Sequence, residues 1–252
     1  MDILEQFANW KFYLIGPYPV GQLGGLVLNI LLAVLSLITG FLMGCFFGLG
    51  RISRRHYIHY PCAAYIETIR ATPLVMIIFW FYFFFPNVLG KPISLFWSAI
   101  ISLSAYAAAY QAEIVRAGIL AVSKGQIEAG LSSGMTRMQS IRIIVLPQAF
   151  KMMIPAFLSF SISLFKDTSV TYIIGMIELT QAGIIVSQRQ PDRMFAAYVC
   201  MAVGYFIICY SMSHIARMLE KRLGMLDYET YRPDTFSKDT FLASPHESVS
   251  RA

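Results

Sequence analysis

Two opposite charges stand side by side in a stretch that is otherwise apolar enough to cross a membrane. Lys166 and Asp167, followed by Thr168 and Ser169, interrupt the segment 152–177. Lys166 lies about 21 Å along an ideal helix from the start of this segment. A charge at such a depth costs roughly 2.5–3.5 kcal/mol on insertion scales, so both side chains must face protein or water. Adjacent side chains project about 100° apart on a helix, so the two charges are poorly placed to neutralise each other.

At least one of these charges therefore needs a partner elsewhere in the fold or a ligand, and a zwitterionic amino acid offers both signs. One hypothesis is that Asp167, with Thr168 and Ser169, lines a translocation path and meets the ammonium group of a substrate. Lys166 would then face the carboxylate group or the end of a neighbouring helix. The alternative is a structural network between helices, and the sequence leaves both open.

A second polar set, Glu67, Arg70, Thr72 and Pro73, lies earlier in the chain. Glu67 and Arg70 are one helical turn apart, so the sequence predicts an ion pair between them, with a role on the substrate path as the alternative. Pro73 removes a backbone hydrogen bond and loosens the helix. Such breaks occur at membrane depth only where they are buried or line a cavity.

The composition indicates a membrane protein. The chain has 252 residues, of which 57% are hydrophobic and only 13% charged, about half the charge of a typical soluble domain. Its mean hydropathy is +0.60. Stretches without Asp, Glu, Lys or Arg cover 12–50, 71–90, 92–112 and 194–216, each with the roughly 20 residues that a spanning helix needs. We therefore predict an all-α integral membrane protein with five spanning helices, at about 21–50, 57–86, 93–116, 150–177 and 194–216.

The distribution of Lys and Arg orients these helices. One side of the predicted membrane holds eleven of them, Arg51, Arg54, Arg55, Arg116, Lys124, Arg137, Arg142, Lys151, Arg217, Lys221 and Arg222; the other holds four, Lys11, Lys91, Arg189 and Arg193. The richer side is expected to be cytoplasmic. Residues 1–20 then form an outer N-terminal segment, 21–222 the transmembrane domain, and 223–252 a polar cytoplasmic tail expected to be disordered. The net charge of +6 reflects topology, and no nucleic-acid partner is predicted.

A basic, glycine-dotted segment, 117–149, separates the third and fourth predicted helices and is too polar to cross the bilayer. The sequence predicts a short helix over 126–131 that ends at Ser132-Ser133-Gly134. Thr136 and Gln139 fit a capping box at the start of a second helix. Pro147 is predicted to end that helix and open the next span. Two short helices at an angle offer a surface that another protein could grip.

Motifs for catalysis and nucleotide binding are absent from the sequence. It contains no Ser/His/Asp set, no paired-carboxylate site, no phosphate-binding Gly-x-x-x-x-Gly-Lys-Ser/Thr loop and no metal-type cysteine doublet. The chain is therefore not predicted to be an enzyme or to hold a cofactor. If ATP and Mg²⁺ drive its function, another chain supplies their site.

The loop closely resembles the cytoplasmic EAA loop of permease subunits of ATP-binding-cassette (ABC) importers. Glu128-Ala129-Gly130, then Gly134, then Leu146-Pro147 stand where that family has Glu-Ala-Ala, a glycine and an Ile/Leu-Pro stop. Gly130 replaces the second alanine. The resemblance implies a MetI-like permease fold whose coupling helices contact ATPase subunits through Gln126, Glu128, Ala129, Gly130 and Gly134. We expect Gly130 and Gly134 to permit close backbone approach to that partner.

Further motifs resemble the polar amino-acid branch of these permeases. They are Glu67–Leu74, Ala105–Arg116, Lys124-Gly-Gln126, Leu146–Ala149 and Lys166-Asp-Thr-Ser169, in the order expected for the family. The segment Pro73–Tyr82 with Pro86 is most similar to permeases of the glutamate/aspartate type. The resemblance implies an importer in a bacterial inner membrane. It also implies three kinds of protein partner, namely a pair of cytoplasmic ATP-binding subunits, a periplasmic or surface solute-binding protein, and a second permease chain, identical or paralogous.

The implied mechanism is alternating access, in which closure of the ATPase subunits pulls on the loop and rocks the spanning helices. Two other classes stay open. An ion-coupled carrier would use Lys166 and Asp167 as its relay, and a non-transporting scaffold would use the loop only to recruit a partner.

Overall fold

The computed structural model describes residues 10–223, and within this range the chain is all-α, as predicted. Its α-helices are α1 (Trp10–Ile15), α2 (Gly25–Ile52), α3 (His56–Ala71), α4 (Leu74–Phe79), α5 (Phe85–Leu89), α6 (Leu95–Ala121), α7 (Lys124–Ser132), α8 (Arg137–Ser140), α9 (Leu146–Asp167), α10 (Leu179–Arg189) and α11 (Met194–Arg222). Wide π-helical turns occupy Trp80–Phe84 and Ile141–Val145, and tight 3₁₀ turns occupy Thr168–Ile174 and Pro191–Arg193. The predicted tail, apart from Leu223, and residues 1–9 of the N-terminal segment lie outside the described residues.

Within residues 10–223, three helical stretches are long and apolar enough to span a membrane: Gly25–Ile52, Arg137–Ile174 and Pro191–Arg222. A bent pair, His56–Ala71 with Leu74–Val88, makes a fourth if it is counted as one span. The remaining predicted span, 93–116, corresponds to α6, which has 27 residues. Serine, tyrosine and glutamine lower its hydropathy, and most of its residues are buried or half-buried against the rest of the chain.

Small residues let α2 and α6 pack closely at the centre of the fold. A Cβ atom added at Gly40 would lie 2.6 Å from the Cβ of Ala107, and one added at Gly48 would lie 2.6 Å from the carbonyl oxygen of Ala112. Only glycine on one helix and small side chains on the other allow this approach, a pattern typical of helix pairs within membranes. The tight pairing makes α6 the central helix of the fold.

The predicted helix over 57–86 is wrong in one respect, because it is broken at Thr72-Pro73. Thr72 has extended backbone angles, φ −99° and ψ 132°, as expected for a residue that precedes proline. The two halves, His56–Ala71 and Leu74–Val88, meet at a bend of 110°. The polypeptide therefore turns sharply next to Arg70.

Pro147, by contrast, does not end a helix as predicted. The structure is helical from Arg137 to Ile174, over 38 residues. The π-helical turn Ile141–Val145 lies directly before the proline, and the Leu146 N–H bonds to the Ile141 carbonyl group, five residues back. Such a wide turn accommodates the missing N–H group and the bulky ring that would otherwise break the helix. The second short helix of the segment 117–149 is therefore joined to the fourth predicted span by continuous helix.

Candidate functional site

Asp167 is the last residue of α9, where the chain tightens into the 3₁₀ turn Thr168–Ile174. Its side chain is half-buried, and its carboxylate interacts with the Tyr106 hydroxyl group of α6. Lys166 is exposed. The two adjacent charges therefore have different surroundings, as their separation around the helix requires.

Aromatic side chains continue from Asp167 along α6. The rings of Tyr106 and Tyr110 lie 4.6 Å apart between centroids, and Phe160 stacks on Tyr110 at 5.5 Å. The guanidinium group of Arg70 lies over the other end of this row, 5.4 Å from the centre of the Tyr110 ring. Tyr106, Tyr110 and Phe160 are only half-buried. We call these five partly exposed residues the polar stripe, since their side chains follow one another in a row from the end of α3 along α6 to the end of α9.

Charged residues of α2, α3 and α6 meet at the Arg70 end of the polar stripe, with Glu113 at their centre. The Glu113 carboxylate accepts hydrogen bonds from Arg116 at 2.5 and 3.0 Å, and lies 3.5 Å from an Arg51 nitrogen. The nearest nitrogen of Arg70 is 4.0 Å from it. A cavity of about 370 Å³ opens here, lined in part by Arg70, Tyr110 and Glu113.

The ion pair predicted between Glu67 and Arg70 is wrong. Glu67 bonds instead to Arg51, with 2.6 Å between nitrogen and oxygen. Because the bend at Pro73 and the packing of α6 direct Arg70 toward Tyr110, Arg70 lies beside the α6 residues rather than paired along α3. Arg70 belongs to the polar stripe, whereas Glu67 belongs to the charged cluster beside it.

Thr168 does not lie on an accessible surface, contrary to the prediction that it lines a path. It has no exposed surface, and its hydroxyl group accepts a hydrogen bond from Asn29 Nδ2 at 2.9 Å. Tight winding of the chain after Asp167 turns this side chain into the protein. Ser169 is half-buried.

Thr168 is part of a buried polar network that sequence reasoning missed. Asn29 of α2 also donates to the Glu178 carboxylate at 3.0 Å, and the Tyr205 hydroxyl of α11 donates to the same oxygen at 2.9 Å. Glu178 caps α10 by accepting from the N–H groups of Thr180 and Gln181, at 2.8 and 2.9 Å. The only local sequence signal for Glu178 is that an acidic residue stands at the start of a helix. That feature is too common to identify Glu178 as part of a network.

The loop between α6 and α9 contains the two short helices that the sequence predicted. The capping box at Thr136 and Gln139 is confirmed, with both reciprocal bonds present. Gly134 has φ +81°, and its N–H and that of Met135 bond back to Leu131 and Gly130. This is the glycine-dependent Schellman ending of a helix.

Gly130 serves packing inside this loop. It is buried, and a Cβ atom there would lie 2.5 Å from the Ser140 Oγ atom of α8. The close approach that it makes in the structure is therefore to its own chain, whereas the sequence predicted an approach to a partner. Glu128 and Ser132 are exposed and lie about 160° around α7 from Gly130. Gln126 and Ala129 are exposed as well. The outward surface of α7 comprises these four residues together with Lys124, Gly125 and Leu131.

A family model described as "Binding-protein-dependent transport system inner membrane component" matches residues 36–225. The chain belongs to this family. It is a permease subunit of an ABC importer for polar amino acids, embedded in the membrane.

Curated relatives of the permease carry different amino acids in their names. The glutamate/aspartate import permease protein GltK of Escherichia coli O6:H1 is 36% identical over 212 residues, covering 79% of this chain and 92% of the relative. The L-cystine transport system permease protein TcyB of Bacillus subtilis (strain 168) is 37% identical over 202 residues, covering 79% and 85%. The crystal structure of an amino acid ABC transporter with histidines matches with a TM-score of 0.78 and 31% identity, covering 88% of this chain and 99% of that one. These matches confirm the predicted permease fold.

Proposed function

We propose that the permease conducts an acidic amino acid of the glutamate/aspartate type along the polar stripe, driven by ATP hydrolysis on partner subunits. The observation that carries this proposal is the stripe itself, which joins Asp167 to Arg70 through two half-buried tyrosines. Ionisable groups within a spanning domain are costly unless they face protein, water or a substrate. A zwitterionic amino acid meets the Asp167 carboxylate at one end of the polar stripe and guanidinium groups, including that of Arg70, at the other.

The charge balance at the Arg70 end favours an anionic substrate. Three arginines, Arg51, Arg70 and Arg116, share two carboxylates, Glu67 and Glu113. Arg51 and Arg116 make the short contacts with these carboxylates, and Arg70 lies farthest from them, at 4.0 Å. Arg70 thus supplies the surplus positive charge, beside an open cavity. This positive charge attracts the second carboxylate of an acidic amino acid. A neutral amino acid has no second carboxylate and lacks that attraction.

The outward surface of α7 is the coupling surface for an ATP-binding subunit. Gly130 and Ser140 lock α7 against α8, and continuous helix links α8 to the span that carries Asp167. A force applied at Glu128 therefore reaches the polar stripe through helix rather than through flexible loop. Closure of two ATPase subunits, which hold the ATP and Mg²⁺, rocks the spans and alternates access to the path.

The assembly needs further partners. The accessible polar stripe is covered by a second permease chain, identical or paralogous, while the exposed apolar side chains of α11, such as Phe206 and Ile207, face lipid. A solute-binding protein delivers the amino acid from outside a bacterial inner membrane. The excess of basic residues near α3, α7 and the end of α11 supports a cytoplasmic location for the loop between α6 and α9 and for the C-terminus, with the N-terminus outside.

Substrate choice is testable with the purified complex. The permease is to be isolated with its co-purifying ATPase and solute-binding protein, and ATP hydrolysis measured with L-glutamate, L-aspartate, L-glutamine and L-cystine in turn. We expect L-glutamate or L-aspartate to stimulate hydrolysis most. Stronger stimulation by L-glutamine or L-cystine would contradict the assignment to acidic amino acids and leave the polar amino-acid class in place.

A further inference from the structure

The residue that follows Asp167 is fixed by buried hydrogen bonds on both its side chain and its backbone. The Thr168 hydroxyl accepts from Asn29 and donates to the Phe165 carbonyl group at 2.7 Å. The Thr168 carbonyl group accepts from the Thr171 hydroxyl at 2.8 Å. The chain just after Asp167 therefore cannot rotate without breaking a bond inside the protein.

Asn29, which holds Thr168, is itself held from several sides. Its carboxamide oxygen accepts from the Leu179 N–H group at 3.0 Å, and its nitrogen contacts Glu178 at 3.0 Å and Tyr205 at 3.2 Å. Asn29, Thr168 and Glu178 have no exposed surface. A buried polar group that loses its partner costs more than the bond contributed, so the network resists even small displacements.

We infer that Asn29, held by Glu178 and Tyr205, is a positioning residue that acts through Thr168 to set the direction in which Asp167 faces the translocation path. This inference rests on the proposed role of Asp167 at the substrate. The network is buried, so it acts through Asp167 and not on the substrate itself. It also joins α2, α10 and α11 to the end of α9, so the carboxylate is held relative to the whole outer part of the fold rather than to one helix.

A matched pair of substitutions at Thr168 tests this inference in the complete complex reconstituted into vesicles. Thr168→Val keeps the volume but removes the hydroxyl, whereas Thr168→Ser keeps the hydroxyl. With ATP inside and a ¹⁴C-labelled mixture of the twenty amino acids outside, together with the solute-binding protein, we expect Thr168→Val to reduce uptake roughly tenfold. Thr168→Ser should stay within about twofold of the unmodified complex. Equal losses in the two variants would overturn the inference.

Combination with Asp167→Asn separates positioning from general support of the fold. If the network acts through Asp167, Thr168→Val causes no further loss in the Asp167→Asn background. The same fold-loss in both backgrounds would overturn the inference while leaving the proposed function intact. Normal uptake by Asp167→Asn alone would refute the role of Asp167 and the inference together.

Tyr205→Phe provides the same test if Thr168→Val fails to assemble. It removes one hydroxyl at the far side of the network, where the Tyr205 oxygen contacts Glu178, Asn29 and Thr180. We expect roughly a threefold loss of uptake that disappears in the Asp167→Asn background. A loss that persists there would show that the network does not act through Asp167.

Discussion

Replacing Asp167 by Asn is expected to reduce amino-acid uptake by roughly 10- to 100-fold while the complex still assembles. The change keeps the size of the side chain and removes its charge. A hydrogen bond to a charged group contributes about 1.5–3 kcal/mol, which corresponds to this range of rates. Because Asp167 is half-buried beside Tyr106, the carboxamide can remain in place without a cavity. Uptake into vesicles and the yield of purified complex are to be measured together.

The matched control is Asp192→Asn, which removes an exposed carboxylate from the 3₁₀ turn Pro191–Arg193. We expect this variant to transport at a rate close to that of the unmodified complex. Unchanged uptake in Asp167→Asn would rule out a substrate role for Asp167. A loss of assembly in Asp167→Asn, but not in Asp192→Asn, would favour the purely structural network between helices that the sequence left open.

Glu128→Arg is expected to abolish uptake while ATP hydrolysis continues. Glu128 is exposed on the side of α7 that faces away from Gly130, so the substitution leaves the packing of the loop intact. A reversed charge at a polar contact with the ATPase costs about 2 kcal/mol or more, and uptake should fall by roughly 30-fold or more. The measurement is the ratio of amino acid imported to ATP hydrolysed.

Glu220→Arg makes the same charge change outside the coupling loop and serves as its control. Its ratio of import to hydrolysis is expected to match that of the unmodified complex. If Glu128→Arg also transports normally with an unchanged ratio, α7 is not the surface on which the ATPase acts. If both variants are equally impaired, net charge rather than coupling accounts for the effect.

Local chemistry made the structure of the loop between α6 and α9 predictable from the sequence. The capping box at Thr136 and Gln139 depends on residues three positions apart, and the ending at Gly134 depends on a backbone conformation that glycine favours. Gly130 also indicated close packing. The residue that it packs against was not predictable, because Ser140 belongs to the next helix and a single sequence does not show how two helices meet.

Contacts between distant residues were beyond what the sequence predicted. Asn29 and Glu178 are 149 positions apart, and Glu178 and Tyr205 are 27 apart, so no periodicity connects them. The pairing of Glu67 with Arg51 instead of Arg70 has the same origin, since it depends on how α3 packs against α2 and α6. Pro73 marked a weak point correctly, but a proline alone does not give the size of the bend, which is 110°.

The most direct test of the account is uptake of L-glutamate by vesicles that contain the permease with its ATPase and solute-binding partners. We predict uptake only when ATP is enclosed with the ATPase and the binding protein is present outside, with no dependence on a proton or sodium gradient. Uptake that persists without ATP and follows an ion gradient would contradict an ATP-driven permease and support an ion-coupled carrier.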